Sequence, residues 1–461
     1  MVLPAAIGMG VALPALTAAA RSPGAAGSAW VGRVFASNTL GTITGSLFCG
    51  FVLLGRVGSE RILTAAAGLA LALGLAAILA GQGEGPGPSR RAKAALGLGA
   101  LAQALAVLGL PRLGRADVTM GSHYYWTTEA EADPGSVVAL KEDAQSGYIS
   151  VFSPPDRSKK TMKTNGKYEG NDTSGEFQDL FALFGALYLK HYDRALLVGI
   201  GPSRTLRVLY AMPFSHIEAV EQSPAILATA AEHFSAFAKE PFEDHARVTI
   251  ACDDGRNHLQ LSRQRYDYLA VAITGAAFAG AGNIYSRDFF QSAKDHLADD
   301  GVFMLWIQIH HVLPPDVRSV IYTLRQVFPH VHFYTDRSRN QGYLLASKSA
   351  LTIDHTKVMK LLESPYLKQT LAFQGYASPL ELVGLSMFTS DADLNRYFAD
   401  RDLGPPPRLL SDFFPGFEYA APYGLATPYH DADFPAFSDH QLPRFDPPLP
   451  EDLANAVRAL R

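Results

Sequence analysis

The sequence predicts an α/β protein in which a doubly wound, mostly parallel sheet follows an apolar, membrane-spanning front. The chain of 461 residues is long enough for two or three domains. Hydrophobic residues make up 48% of it and charged residues only 18%. Strands and helices alternate from about residue 195 to residue 348, which is the pattern of a parallel sheet covered on both faces.

Charge separates the front of the chain from the rest. Residues 1–112 carry eight Lys/Arg and two Asp/Glu, whereas the remainder carries 32 basic and 42 acidic residues. An acidic soluble part repels phosphate, which argues against a nucleic-acid partner. The two cysteines, Cys49 and Cys252, lie far apart in different segments, so a disulfide is not expected and a reducing compartment fits.

Four apolar stretches in the front approach the ~20 residues that a helix needs to cross a bilayer. They cover approximately residues 2–20, 34–54, 62–80 and 94–110. The first could instead be a secretory signal peptide, although no Lys or Arg precedes it, and the fourth could be a buried soluble helix. The basic residues of the loops do not fix the orientation. We therefore expect a four-helix transmembrane region over residues 1–112.

The elements after the front divide into three segments. Short alternating runs over residues 117–175, with an Asn165-Gly166 hairpin signal, predict a small β subdomain. Residues 176–348 begin with a helix and continue as alternating strands and helices. Residues 349–461 are expected to hold helical patches at 357–362 and 379–387, then Pro-rich chain whose segments 404–407 and 443–450 cannot be regular structure.

Ligand chemistry is expected where the parallel strands end. The first strand ends in Gly199-Ile-Gly201-Pro-Ser203, where glycines let a ligand approach the backbone. Glu221 ends the second strand, where a carboxylate can accept both hydroxyls of a ribose. Asp253 and Asp254 end the third strand, where an acid can accept an adenine amino group. Together these positions predict an adenosine-binding pocket.

Each of these signals has a purely structural alternative. A tight strand–turn–helix connection also needs glycine. Glu221 could be a surface acid, and Asp254 could cap the next helix. No His pair shares a zinc-type spacing with Cys or a carboxylate, so no metal is predicted.

The order of these motifs resembles the spermidine/spermine synthase family. The match extends from about residue 136 to residue 348 and includes the segments Asp254-Gly-Arg and Asn283-Ile-Tyr-Ser-Arg-Asp-Phe-Phe. Residues 34–46 are similar to the signature helix of a membrane domain that is fused to some bacterial members, and residues 411–422 resemble the C-terminal tail. The front is short for that domain, as if the chain began partway through it.

The resemblance implies a Rossmann-like sheet of the S-adenosylmethionine methyltransferase type and a transferase of polyamine biosynthesis. The family moves an aminopropyl group from decarboxylated S-adenosylmethionine to an amine acceptor. The nucleoside would be held by Gly199, Gly201, Ser203, Glu221, Asp253 and Asp254. The resemblance further implies a multi-pass protein of the bacterial inner membrane, a cytoplasmic soluble domain where the donor is made, and a possible homodimer.

The acceptor half of the family's site does not carry over. The positions that usually bear carboxylates are Pro202, Ala272 and Gly275 here, although an ammonium acceptor must lose a proton before it attacks. The remaining catalytic candidates are Tyr285, Glu176 and Asp179. Three hypotheses stay open: an aminopropyltransferase with an unusual acceptor, a methyltransferase-like enzyme that uses S-adenosylmethionine, and a non-catalytic nucleoside-binding membrane protein.

Overall fold

The computed structural model describes residues 25–80, 136–173, 177–273, 280–310, 312–425 and 443–459. The chain divides into two compact units. The first comprises Met1–Arg112 with Glu142–Ala144, and the second comprises Leu113–Lys141 with Gln145–Arg461.

The described part of the first unit is helical. Helix α1 (Ala25–Phe48) continues through a π-helical turn (Cys49–Leu53) into α2 (Leu54–Val57), and α3 (Ser59–Ala80) follows. One helix among the described residues, Ala29–Val57, is long and apolar enough to cross a membrane.

The four-span expectation is corrected accordingly. Ala29–Val57 contains the predicted span at 34–54, and the predicted span at 62–80 is helical within α3. The predicted spans at 2–20 and 94–110 lie outside the described residues. The described chain therefore supports one candidate span instead of a four-helix region.

The second unit begins with a four-stranded sheet in the order β1-β2-β3-β4. Its strands are β1 (Ser136–Asp143), β2 (Gly147–Ser153), β3 (Thr161–Thr164) and β4 (Lys167–Asn171). The predicted hairpin turn joins β3 to β4, and φ is positive at both Asn165 (50°) and Gly166 (79°), as a type I′ turn requires. Val151 and Met162 pack in one cluster with Ile226 of the following α/β domain.

The α/β domain is built on an eight-stranded sheet in the order β13-β10-β11-β9-β8-β5-β6-β7. Its strands are β5 (Arg194–Val198), β6 (His216–Val220), β7 (Val248–Ala251), β8 (Tyr266–Val271), β9 (Leu297–Gln308), β10 (His330–Thr335), β11 (Gln341–Ser347) and β13 (Ser386–Phe388). Strands β5 to β9 pair in parallel, and β11 is antiparallel to both β9 and β10. This arrangement is the Rossmann-like sheet of the methyltransferase type that was predicted.

Helices cover both faces of this sheet. They are α4 (Phe177–Ala186), α5 (Arg204–Tyr210), α6 (Pro224–His233), α7 (Ser235–Glu243), α8 (Gly255–Leu261), α9 (Arg287–His296), α10 (Pro314–Val327), α11 (His355–Lys360), α12 (Pro365–Phe373), α13 (Asp391–Ala399), α14 (Gly416–Leu425) and α15 (Glu451–Arg458). Along β5, Ala195 and Leu197 join one core cluster, and Leu196 and Val198 join the other. A sheet that is buried on both faces explains the continuous apolar run of this strand.

Helices α6 and α7 are separate because the backbone leaves helical geometry at Phe234 (φ −121°, ψ 35°). Two local expectations need correction. The patch at 379–387 is a 3₁₀ helix (Pro379–Leu385) followed by the edge strand β13. Within 443–450, β14 (Arg444–Phe445) pairs in parallel with β12 (Thr352–Ile353). The pairing of β14 with β12 is possible because it involves only two residues of β14, so the prolines on either side need not donate a backbone N–H.

Candidate functional site

Four parallel strands end side by side at one edge of the sheet. Just beyond them, the Gly199 N–H donates to the Val220 carbonyl over 2.9 Å, and the Ala272 N–H donates to the Val198 carbonyl over 2.8 Å. The Glu221 N–H donates to the Ala251 carbonyl over 3.0 Å. These bonds hold the ends of β5, β6, β7 and β8 together, so residues that follow the strands share one site.

The turn after β5, residues 199–203, forms a glycine corner. Its backbone enters the left-handed region at Gly199 (φ 89°), Gly201 (φ 52°) and Ser203 (φ 68°). A Cβ atom on Gly199 would lie 3.2 Å from the Ala272 carbonyl oxygen, whereas one on Gly201 would meet no atom within 4 Å. The first glycine is therefore needed for close packing, and the second faces open space that a ligand could fill.

Glu221 is bonded to the glycine corner. One of its carboxylate oxygens accepts from the Ile200 N–H at 3.0 Å and from the Gly201 N–H at 3.5 Å, and the other accepts from the Ser223 N–H at 3.1 Å. Burial raises the pKa of the Glu221 carboxyl, and the N–H donors of Ile200, Ser223 and Gly201 oppose that rise. With 7% of its surface exposed, Glu221 is not the surface acid of the alternative hypothesis.

The two acids after β7 differ in their roles. Asp254 Oδ1 accepts from the Asn257 N–H at 2.8 Å and caps α8, as the structural alternative had it. Asp253 accepts from the Asp254 N–H and lies 3.6 Å from the His258 ring. Both acids are exposed, so either can still contact a ligand through its remaining oxygen.

Gly255 brings the end of β7 close to the glycine corner. A Cβ atom at this position would lie 2.2 Å from a methyl carbon of Val198, the last residue of β5. Contact this close is possible only for glycine. The Asp254-Gly-Arg motif is therefore a packing requirement as well as a candidate ligand site.

The chain after β8 carries two of the positions at which the family resemblance predicts acids. Ala272 follows β8 directly, and Gly275 lies outside the described residues. Where the described chain resumes, the N–H groups of Gly280 and Gly282 donate to the two carboxylate oxygens of Glu418, over 2.9 and 3.2 Å. A residue of the C-terminal extension thus holds the backbone of this loop.

A second acid of the extension binds the motif after β7. Asp412 pairs with both terminal nitrogens of Arg256 and accepts from the Ser286 hydroxyl at 2.7 Å. The hydrogen bond from Arg256 holds the pKa of the Asp412 carboxyl below its usual range. Asp412 therefore links α8 to the start of α9.

Asp179 is buried, and it binds the helix that follows the glycine corner instead of the corner itself. Its two oxygens accept from the guanidinium of Arg204, the first residue of α5, and Arg204 also donates to the carbonyls of Asn171 and Thr173. Burial raises the pKa of the Asp179 carboxyl, and the charge of Arg204 opposes this. Such a pair positions the helix that follows the corner. The other acidic candidate, Glu176, lies outside the described residues.

Tyr285 lies beneath the site, in the core. Its hydroxyl donates to the Trp306 carbonyl at 3.4 Å, and its ring meets the edge of the Phe417 ring at a centroid distance of 4.8 Å. Burial raises the pKa of the Tyr285 phenol well above its usual range. In this arrangement Tyr285 supports the end of β9, and a catalytic role stays a prediction.

Two groups of residues near the strand ends were missing from the sequence-based site. Glu418 and Asp412 belong to the segment that resembles the family's tail, but no role was predicted for either residue. An aromatic wall forms where the Phe177 ring stacks on the Trp306 ring at 5.3 Å and approaches the Tyr168 ring at 6.3 Å. Sequence spacing carries no signal for this wall, because its members come from three separate elements.

Comparison with known proteins gives one family match. Residues 176–339 match the model of the spermine/spermidine synthase domain. Polyamine aminopropyltransferase 2 of Aquifex aeolicus is 23% identical over 210 residues, which cover 44% of this chain and 42% of that protein. Polyamine aminopropyltransferase of Korarchaeum cryptofilum is 22% identical, over 31% of this chain and 44% of that protein. The chain thus spans less than half the length of these curated relatives.

Solved structures include similar chains as well. Spermidine synthase from Thermotoga maritima is 18% identical, with a TM-score of 0.42 over 51% of this chain and 87% of that chain.

Proposed function

We propose that the chain, whose residues 176–339 match the spermine/spermidine synthase domain, transfers an aminopropyl group from decarboxylated S-adenosylmethionine to an amine. The observation that carries the proposal is the buried carboxylate of Glu221, bonded to the glycine corner at the C-terminal edge of a parallel sheet. The names of the two curated relatives support the same activity.

The donor's nucleoside is proposed to lie across the strand ends. Three of the roughly four lone-pair positions of the Glu221 carboxylate already accept backbone N–H groups, which leaves about one for a ribose hydroxyl. Gly201 leaves open space beside it. Asp254 uses Oδ1 for its helix cap, so Oδ2 is the oxygen that would accept the adenine amino group. Asp253 and Ser203 complete the proposed nucleoside contacts.

The proposed reaction is a nucleophilic substitution. The lone pair of the amine nitrogen forms a bond to the aminopropyl carbon, and the carbon–sulfur bond breaks with its electron pair moving to the sulfonium sulfur, which becomes neutral. The nitrogen loses one proton to solvent before it attacks, because the positions that usually carry a carboxylate base hold Pro202 and Ala272. The chain's own part is to orient the donor carbon toward the amine.

The same two uncharged residues favour a second candidate. A methyl acceptor that is a carbon atom or a neutral amine needs no carboxylate pair, and methyl transfer from S-adenosylmethionine uses a sheet of this type. A non-catalytic nucleoside-binding protein is the third candidate. Of the three, we propose aminopropyl transfer first because the domain match is to synthases of this family.

We further propose that the chain is held in the bacterial inner membrane. Helix Ala29–Val57 exposes large apolar side chains, among them Leu40 (64% exposed) and Phe51 (76% exposed). The soluble domain would lie on the cytoplasmic side, where adenosyl donors are made. Additional spans and a homodimer remain part of this proposal.

Titration calorimetry and product analysis test the proposed function. The purified full chain in detergent should bind decarboxylated S-adenosylmethionine more tightly than S-adenosylmethionine, and mass spectrometry should detect methylthioadenosine together with an aminopropylated amine. Glu221→Gln should weaken donor binding about tenfold, because it removes a charge-assisted acceptor. Glu243→Gln, at an exposed position of α7, is the matched control.

Three results would argue against aminopropyl transfer. Tighter binding of S-adenosylmethionine with a methylated product would favour the second candidate. Binding without conversion across a panel of amines would favour the third. Binding of neither donor would refute an adenosyl site.

A further inference from the structure

A cavity of about 450 Å³ opens beside the aromatic wall. Tyr168 and Phe177 line one side of it, and Asp336, Arg337 and Tyr376 line the other. The second group takes no part in the proposed nucleoside contacts. Asp336 and Arg337 lie in the turn between β10 and β11, and Tyr376 follows α12.

The cavity lies at the same edge of the sheet as the glycine corner. Gln341, the first residue of β11, pairs with Gln308, the last residue of β9, so the turn that precedes Gln341 lies where the parallel strands end. On the other side, a Cβ atom on Gly170 of β4 would lie 2.8 Å from the Pro202 ring. Gly170 is two residues from Tyr168. The wall of the cavity therefore packs against the corner that is proposed to hold the donor.

The two charged residues of the cavity differ in how many hydrogen bonds they already form within the protein. Asp336 accepts from the backbone N–H groups of Asn340 (2.7 Å) and Gln341 (2.9 Å) and from the Ser338 hydroxyl. Its carboxylate is thus largely occupied by its own turn.

Arg337 forms fewer hydrogen bonds than Asp336 does. Its guanidinium lies over the Tyr376 ring at 4.3 Å, and its hydrogen bond to the Gly375 carbonyl is long, at 3.5 Å. Within the described ranges no Asp or Glu forms an ion pair with it. A guanidinium has five donors in a fork that matches a carboxylate, and an aromatic ring beneath it fixes its plane. Arg337 is therefore placed to bind an anionic group at the mouth of the cavity.

We propose that this cavity binds an acceptor that carries a carboxylate as well as its amine, with Arg337 as the specificity-determining residue. This inference rests on the proposed transferase function and concerns its acceptor. A simple diamine would place its second ammonium near Arg337, where like charges repel, and the adjacent Asp336 carboxylate is already engaged by its own turn. The diamine would also find no carboxylate at Pro202 or Ala272. An amino acid with an aliphatic spacer would instead place its methylenes between Tyr168 and Phe177 and its carboxylate on Arg337.

The test compares two probes of nearly equal length, 4-aminobutanoate and 1,4-diaminobutane. Calorimetry on the full chain in detergent should give tighter binding of 4-aminobutanoate. Arg337→Gln should weaken that binding about tenfold, the effect of losing a charge-assisted bond, and should leave or improve binding of the diamine. Arg339→Gln, an exposed position on the same turn that does not line the cavity, is the matched control and should change neither.

The outcomes separate this inference from the proposed function. Tighter binding of the diamine, binding of neither amine, or a preference that Arg337→Gln does not change would overturn the acceptor assignment even if the adenosyl donor binds. Loss of donor binding together with Arg337-dependent binding of 4-aminobutanoate would instead refute the transferase proposal and leave the carboxylate site standing.

Discussion

Replacement of Glu221 by glutamine should destabilise the protein as well as weaken its donor site. The carboxylate has two acceptor oxygens, which serve the N–H groups of Ile200 and Gly201 on one side and of Ser223 on the other. A glutamine side chain keeps one oxygen and turns the other position into an N–H donor. One buried backbone donor must then face another donor.

The size of the effect follows from this mismatch. A buried donor left without an acceptor costs ~1–3 kcal/mol. A loss of about 2 kcal/mol corresponds to a fall in Tm of about 4–8 °C for a domain of this size. Glu243→Gln should leave Tm within ~1 °C of the wild type, because exposed substitutions change stability little.

The pH dependence gives a second, independent readout. The pKa of Glu221 is raised in the folded protein from its ordinary value of 4.5. The folded state therefore binds more protons than the unfolded state just above pH 4.5, so the stabilising contribution of Glu221 is fully present below that pH and is lost as pH rises through the raised pKa. Glutamine lacks this contribution, so the gap in Tm between wild type and Glu221→Gln should be larger at pH 5 than at pH 8.

Thermal unfolding followed by differential scanning fluorimetry, at one scan rate and at both pH values, measures these quantities. A variant that melts like Glu243→Gln at both pH values would refute the reasoning. So would a gap that shrinks at pH 5, because a raised pKa of the Glu221 carboxyl requires the opposite trend.

Two further substitutions test how the site is supported. Glu418→Gln should speed amide hydrogen exchange at Gly280 by severalfold, since one of the two carboxylate acceptors that hold the loop becomes a donor; exchange at wild-type rates would contradict this, and Glu451→Gln, at an exposed position, is the control. Asp179→Asn should lower stability by about 3–5 kcal/mol, because it leaves the buried Arg204 guanidinium without its counter-charge; a thermal melt indistinguishable from wild type would show that the pair does not matter.

Much of the α/β domain could be predicted because its signal is local. A strand buried on both faces needs a continuous apolar run, and Ala195-Leu-Leu-Val provides one that the structure ends at Val198. The glycine corner was equally predictable, since positive φ values at Gly199 and Gly201 require the residue type that the sequence shows.

What could not be predicted depends on contacts between distant residues. Nothing in the local pattern around residue 387 distinguishes the edge strand β13 from the end of a helix, because the distinction lies in its pairing with β10. The position of Asp179 likewise depends on Arg204, 25 residues away. Its carboxylate met the sequence criterion for a catalytic acid, and only the three-dimensional structure shows that both oxygens are bound.

Glu418 and Asp412 hold backbone and side chains at the ligand edge of the sheet, but neither residue lies in a strand of that sheet. Every strand of the eight-stranded sheet precedes residue 389, so a chain shortened at residue 409 would still contain all eight strands. It would nevertheless release Gly280, Gly282 and Arg256 from their carboxylate partners. Proteolytic trimming of the last fifty residues would thus leave all eight strands in the chain and free the loop after β8 and the start of α8 from these carboxylates.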